Sequence, residues 1–391
     1  MRIAFLISCI NSKSKGSGGH YYSSLTIANS LLEAGHEIKI IVLGNQFPKA
    51  YSNEDKLKFE FIQVNLFSIY KSKKHALKKI NEFNPEIIHS YDRLAYYWGR
   101  TISRALDLPS FLTKCGGPND KYFPICENTV FFSKENLDFY RKRQKYSSVK
   151  MMLIPNRVQP FTDDIKRIKD LSSKLFNNIT PNQYKMLRIC RIGEYYKSSA
   201  LQSINLNKKI NSSGIDCSLT FIGVVQDEKV LMELKGKSDD KVFFITEDYF
   251  TKNAKELINL FDIVIGAGRS LMEATYKKKI VLTPAKNSDI PALISTLTFN
   301  YALGRNFSER VVFEKEIIIK SFEKLLLLLK SEEDKRDYEK DIFDIFLNFF
   351  DAKNATVTYE KEYKEATKKN EILFLDSSLN FLLLLKTFVV K

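Results

Sequence analysis

The chain has 391 residues, with 44% apolar and 13% aromatic side chains, enough for a large core, which excludes a disordered polymer. Lysine and arginine number 61 against 46 acidic residues, and the net charge of +15 admits nucleic acid, anionic membrane or phosphorylated small molecules as partners without choosing among them. Five scattered cysteines (Cys9, Cys115, Cys126, Cys190, Cys217) and only four histidines argue against a zinc centre or a disulfide scaffold, and fit a reducing compartment.

The apolar opening IAFLI (3–7) is too short and too quickly followed by polar and glycine residues for a signal peptide; it reads as a buried strand. A helix follows around 22–34, with Leu25, Ala28, Leu31 and Leu32 at helical spacing and Gly35 at its end. Further strands are expected at EIKIIVL (37–43), FEFIQV (59–64), EIIHS (86–90), SFLT (110–113), TVFFS (129–133) and MMLIP (151–155). Residues 159–185 are polar and basic and carry Pro160 and Pro181, which reads as a connecting segment with a short helix. A second series begins with MLRIC (186–190) and continues through CSLTFIG (217–223), KVFFIT (241–246), FDIVIG (261–266) and KIVLTP (279–284). Residues 313–350 look helical, 351–370 read as a charged, solvated helix, and 371–391 are apolar and need a surface to cover. The run FLLLLKTFVV (381–390) falls short of the roughly 20 residues of a spanning helix.

Strand–helix alternation predicts an α/β protein with two doubly wound Rossmann-like domains facing a cleft, over 1–160 and 186–345, joined by a linker at 161–185 and followed by a helical tail at 346–391. Ligands of such sheets bind outside the carboxyl ends of the strands, so the loops there are the candidate sites.

The loop KGSGGHYYSS (15–24) offers Gly18 and Gly19 before a helix N-terminus; it is either a phosphate cradle or a flexible surface turn, and it lacks the G-x-G-x-x-G spacing. In CRIGEYYKSS (190–199), Arg191 and Lys197 are either a diphosphate grip or a solvated basic turn. In the segment 262–279, Gly266, Gly268 and Arg269 open a helix that carries Glu273; Ser270 and Glu273 also fit a capping box. His20, His89 of HSYD (89–92) and Cys115 of TKCGGPND (113–120) are candidate contacts of a sugar or acceptor, against structural readings for each.

In this order the segments resemble GT-B glycosyltransferases of the family 4 type over roughly residues 1–290. The glycine loop ending GGH, PEIIHSYD, VFFSKE with MLIPNRV, ICRIGEYYKS, LTFIG and RSLMEA each resemble a segment of that family. The resemblance implies a nucleotide-diphosphate sugar as co-substrate, with no metal and no other cofactor. It implies that Arg191 and Lys197 hold the diphosphate and stabilise the leaving group. Gly18, Gly19, Gly268 and Arg269 would help bind the donor, and Glu273 would accept hydrogen bonds from the ribose. It further implies retention of anomeric configuration, a glycan or lipid-linked acceptor, and a tail packed on the first domain. The chain departs from the family at Ile265, where a first glutamate is usual, at Cys115 in place of histidine, at Arg157 in place of the glycine of I-P-N-G, and at Lys278.

Basic clusters at Lys71-Lys73-Lys74-Lys78-Lys79 and Arg141-Lys142-Arg143-Lys145 are either a merely soluble face or a dock for anionic lipid. The expected location is cytoplasmic, or peripheral on the inner face of the membrane. A catalytically silent nucleotide-sugar binder is the second reading and an isomerase the third. Nucleic acid is not expected as a partner, for want of any recognised module.

Overall fold

The computed structural model describes residues 1–12, 16, 18–52, 54–176, 183–368 and 374–389. The chain divides into two compact units, Met1–Gln159 with Ala352–Lys391, and Pro160–Asp351.

The first unit opens with β1 (Arg2–Cys9), α1 (Gly19–Glu33), β2 (Glu37–Gly44), β3 (Lys58–Gln63) and α2 (Ile69–Phe83). It continues with β4 (Ile87–Ser90), α3 (Ala95–Ala105), β5 (Ser110–Lys114), β6 (Asn128–Phe131), α4 (Lys134–Arg141) and β7 (Lys150–Leu153). The seven strands form one sheet in the order β3-β2-β1-β4-β5-β6-β7, every pair parallel. A parallel sheet is covered on both faces, which is why its strands read as unbroken apolar runs. Residues Ile3 to Ile7 of β1, for example, are each 1% exposed or less.

The second unit holds α5 (Ile165–Leu175), β8 (Tyr184–Ile189), α6 (Glu194–Ser212), β9 (Cys217–Ile222), α7 (Glu228–Gly236), β10 (Val242–Ile245) and α8 (Asp248–Thr251). Then come β11 (Ile263–Ile265), α9 (Arg269–Tyr276), β12 (Ile280–Thr283), β13 (Ala292–Leu293), α10 (Phe299–Gly304), α11 (Lys315–Leu328) and α12 (Glu332–Ile345). Its sheet runs β10-β9-β8-β11-β12-β13, parallel except for β13, which lies antiparallel to β12. The twelve expected strands are present with ends shifted by one or two residues. The two-residue β13 is too short to show any period.

The stretch expected as a linker over 161–185 carries α5, and residues 177–182 lie outside the described part. The buried Arg167 of α5 donates to Glu256 at 3.1 Å and to the carbonyls of Phe250 and Lys252, which ties the segment into the second unit.

The chain then returns to the first unit through α13 (Ala352–Lys364) and α14 (Phe374–Val389). Reading 351–370 as a solvated helix needs correction. Along one face of α13, Thr356 meets Ser30 at 2.5 Å, Glu360 meets His36 at 2.7 Å, and Tyr363 meets His89 at 2.7 Å. Spacings of four and three residues set these three side chains on one stripe.

Both units end their first strand in the same way. A Cβ on Gly44 would lie 2.0 Å from the carbonyl oxygen of Cys9, and one on Gly223 would lie 1.7 Å from that of Cys190. Only glycine fits either place, so the loop after the first strand of each sheet can bend across its neighbour.

Candidate functional site

In the second sheet β8 has β9 on one side and β11 on the other, so the strand order reverses there. The crevice outside the carboxyl ends of β8 and β11 is the binding position of an open α/β sheet. The loops carrying Arg191 and Gly266–Gly268 leave the sheet side by side, since Arg188 of β8 is paired with Ile265 of β11.

The β11 loop is shaped by two glycines. A Cβ on Gly266 would stand 2.4 Å from the backbone nitrogen of Leu271, so the start of α9 closes directly over this residue. Gly268 caps α9 at φ 58° and ψ −119°, a conformation open only to glycine, and its N–H donates to the Phe307 carbonyl at 3.1 Å. The capping box expected of Ser270 and Glu273 does not form. The Ser270 hydroxyl instead bonds the backbone of Ala267, and Glu273, 8% exposed, lies a turn into the helix and accepts from Arg269 at 3.2 Å. Glu273 is therefore held by a cation rather than by backbone donors.

Arg191 follows β8, half-buried, with its guanidinium hydrogen-bonded to the Tyr196 hydroxyl and 5.0 Å from the Tyr196 ring centre. Lys197 lies within α6 and pairs with Glu233 of α7 at 2.6 Å, so the two cations have separate partners. That ion pair raises the Lys197 pKa.

Three residues of this region escaped the sequence reading. Arg188, fully buried in β8, bonds Ser199 at 2.9 Å, Glu309 at 2.8 Å and the Ile265 carbonyl at 3.3 Å. It ties the floor of both loops together. Its signal was present: a lone arginine in an apolar strand needs a buried partner. Lys255 lies in the field of Glu273 and Arg269, with its ammonium 4.9 Å from the Phe161 ring centre; burial lowers its pKa and Glu273 partly restores it. Neither Lys255 nor Glu309 stands out in a chain this rich in charge.

The remaining candidates lie in the first unit. Gly18 is the N-cap of α1 and Gly19 its first residue. A Cβ on Gly18 would touch the His20 ring at 3.0 Å, and that ring packs 4.0 Å from Tyr21. His89 is fully buried, and its two ring nitrogens are taken by Tyr363 and Thr113, each at 2.7 Å. Burial holds its pKa down to about 3. Cys115 sits beside the Tyr91 carbonyl at 3.5 Å, and burial pushes its thiol up, away from the reactive thiolate. Asp92, at the same strand end, accepts from the Ser8 backbone and hydroxyl and from the N–H groups of Leu94 and Ala95, so it pins α3 to β1. Among the described residues no group of three or more His, Cys, Asp or Glu side chains is placed to hold a metal ion.

No family model matches the chain, and no curated protein sequence does either. Solved structures do. A glycosyltransferase from Rickettsia africae matches with a TM-score of 0.68 at 16% identity, over 93% of this chain and 98% of that one. HepE from Anabaena, in complex with UDP and glucose, matches with 0.66 at 12% identity, over 93% and 100%. The catalytic domain of starch synthase IV from Arabidopsis thaliana, bound to ADP and acarbose, matches with 0.60 at 13% identity, over 93% and 98%. The fold is that of the GT-B glycosyltransferases, two Rossmann-like units with a helical C-terminal tail.

Proposed function

We propose that the chain is a glycosyltransferase of the family 4 type that moves a sugar from a nucleotide-diphosphate donor to a lipid-linked or polysaccharide glycan. In this reading the transfer retains anomeric configuration and needs no metal. The observation that carries it is that the loop bearing Arg191 leaves the second sheet at its reversal point beside the segment where Arg269, Lys255 and Glu273 interact, at the N-terminus of α9. Two of the similar structures hold nucleotide diphosphates, and the fold supplies the same kind of crevice.

Breaking the bond from sugar to diphosphate puts growing negative charge on the leaving group, and preorganised cations and N–H groups stabilise it most when already in place. Arg191 is oriented by Tyr196 before any donor arrives. Arg269 and Lys255 add charge beside the N-terminus of α9, whose dipole favours an anion, while the N–H groups of Gly266, Ala267 and Gly268 are already taken by Leu282, Ser270 and Phe307. Lys197 joins them only by exchanging Glu233 for phosphate. Glu273, pinned by Arg269, keeps an acceptor ready for ribose hydroxyls.

Arg191→Ala tests the reading. A charge-assisted hydrogen bond is worth about 1.5–3 kcal/mol, so donor affinity should fall about 10- to 150-fold in calorimetry against a panel of nucleotide sugars, with the melting temperature unchanged. Unaltered binding would remove the diphosphate assignment. One observation favours a silent donor-binding protein instead: Ile265, where the family carries its first glutamate, is an apolar side chain fully buried within β11. Turnover of any donor in the same panel decides against it.

A further inference from the structure

We infer that the outward face of α14 is a lipid-inserting surface that seats the first unit on an anionic membrane. Its service to a lipid-linked acceptor rests on the glycosyl-transfer reading above.

A helix on a protein surface normally turns its apolar stripe inward. The first half of α14 does the reverse. Asp376 and Asn380 are buried, the former bound by Arg100 and the Ile125 N–H, the latter with no hydrogen-bond partner for its amide among the described residues. Facing outward are Leu375, Leu379, Leu382 and Val389, at 73%, 38%, 58% and 70% exposure, with Lys386 between the last two. Spacings of 4, 3, 4 and 3 residues line these five up along the helix. Burying polar groups while exposing leucine is unfavourable in water on both counts, and an apolar medium outside removes the second penalty.

Charge selects the occupant. The first contender is a second copy, since the spacing is that of a coiled-coil seam. That seam would be only about 24 Å long, carry Lys386 within it, and bring together two chains of net charge +15. An anionic bilayer is attracted by the same charge. The neighbouring α2 carries five lysines against one acid, Glu82 near its far end. Lys73 of α2 lies 4.6 Å from the Tyr97 ring centre of α3, and Tyr97 stacks on Phe381 of α14, so the three helices share one layer. Phe67 and Tyr70, 93% and 68% exposed, stand where the chain leaves the carboxyl end of β3 and enters α2. The far end of α14 lies at the same edge of the sheet, because the Asn11 amide, just past β1, donates to the Thr387 carbonyl at 2.8 Å. The far end of α14, the start of α2 and the Phe67–Tyr70 turn thus lie toward the edge where ligands of this sheet bind, and Leu379 and Leu375 run back from it along the same helix. At 16 residues α14 lies in the interface rather than across it, and none of the described helices is long and apolar enough to cross a membrane.

The test uses the full chain with vesicles of phosphatidylcholine alone and of an equimolar phosphatidylcholine–phosphatidylglycerol mixture. Sedimentation with the anionic vesicles only, lost in high salt, is expected. The Leu375→Gln/Leu379→Gln/Leu382→Gln variant should bind more than about ten-fold more weakly, from the apolar area withdrawn. Leu382→Trp should shift its emission to the blue on anionic vesicles, over a constant signal from Trp98, which is fully buried and also reports that each variant is folded. Absence of vesicle binding overturns the inference, as does binding without a shift from the new tryptophan. A wild-type dimer that the triple variant dissolves, seen by light scattering, assigns the face to a second copy and overturns it too. Donor affinity measured without vesicles separates this inference from the proposed function: if it persists while vesicle binding fails, only the membrane surface is wrong.

Discussion

Gly268 sits at φ 58° and ψ −119°, where any side chain is strained, and it sets the direction in which α9 begins. Gly268→Ala should cost about 1–3 kcal/mol of stability and weaken donor binding beyond that of a folded control, read by thermal melts and calorimetry on the same preparation. Sequence position alone places Arg191, Gly268 and Arg269 at a sheet edge, because each follows a strand within a few residues, whereas Glu273 lies a turn further into α9. The bond between Arg269 and Glu273 is hidden in the sequence, since S-x-x-E offers a local partner that does not form once Gly268, and not Ser270, is the N-cap of α9. Lys255 and Glu309 were invisible for a different reason: their partners come from remote segments, and the sequence marks neither among so many charges.

At the scale of elements, the parallel strands declared themselves because burial on both faces leaves continuous apolar runs. α13 did not, because its inward face is built from Thr356, Tyr359 and Tyr363, residues with polar heads that count as solvated in a pattern. The contact of Tyr363 with His89 makes this docking sensitive to acid. An unfolded histidine takes up its proton near pH 6.5, whereas His89 in the fold resists until about pH 3. The unfolded chain binds more protons across that window, so stability is full above pH 6.5 and falls as the pH is lowered toward 3. By pH 5 the loss from this group is about 2 kcal/mol. Melts at pH 8 and pH 5 should show it, and His89→Gln should flatten that part of the slope.

The whole molecule is a chain that leaves one unit, completes another, and comes back. The return is marked where the Ala352 N–H donates to the Val158 carbonyl at 3.1 Å, so the exit and re-entry strands touch. A chain cut after residue 351 would leave Ser30, His36, His89 and Arg100 without the partners that α13 and α14 supply. Such a chain should show a cooperative melt for the second unit and none for the first, whereas a 160–351 fragment should melt as that unit does. On the ribosome the same layout imposes an order. At about 5–20 residues per second, the roughly 200 residues of the second unit hold back the two closing helices for about 10–40 s. The first sheet to be synthesised is therefore the last to be finished. Through that interval the nascent chain is bare on both faces of its first sheet, around His89 on the side that α13 covers and around Arg100 on the side that α14 covers.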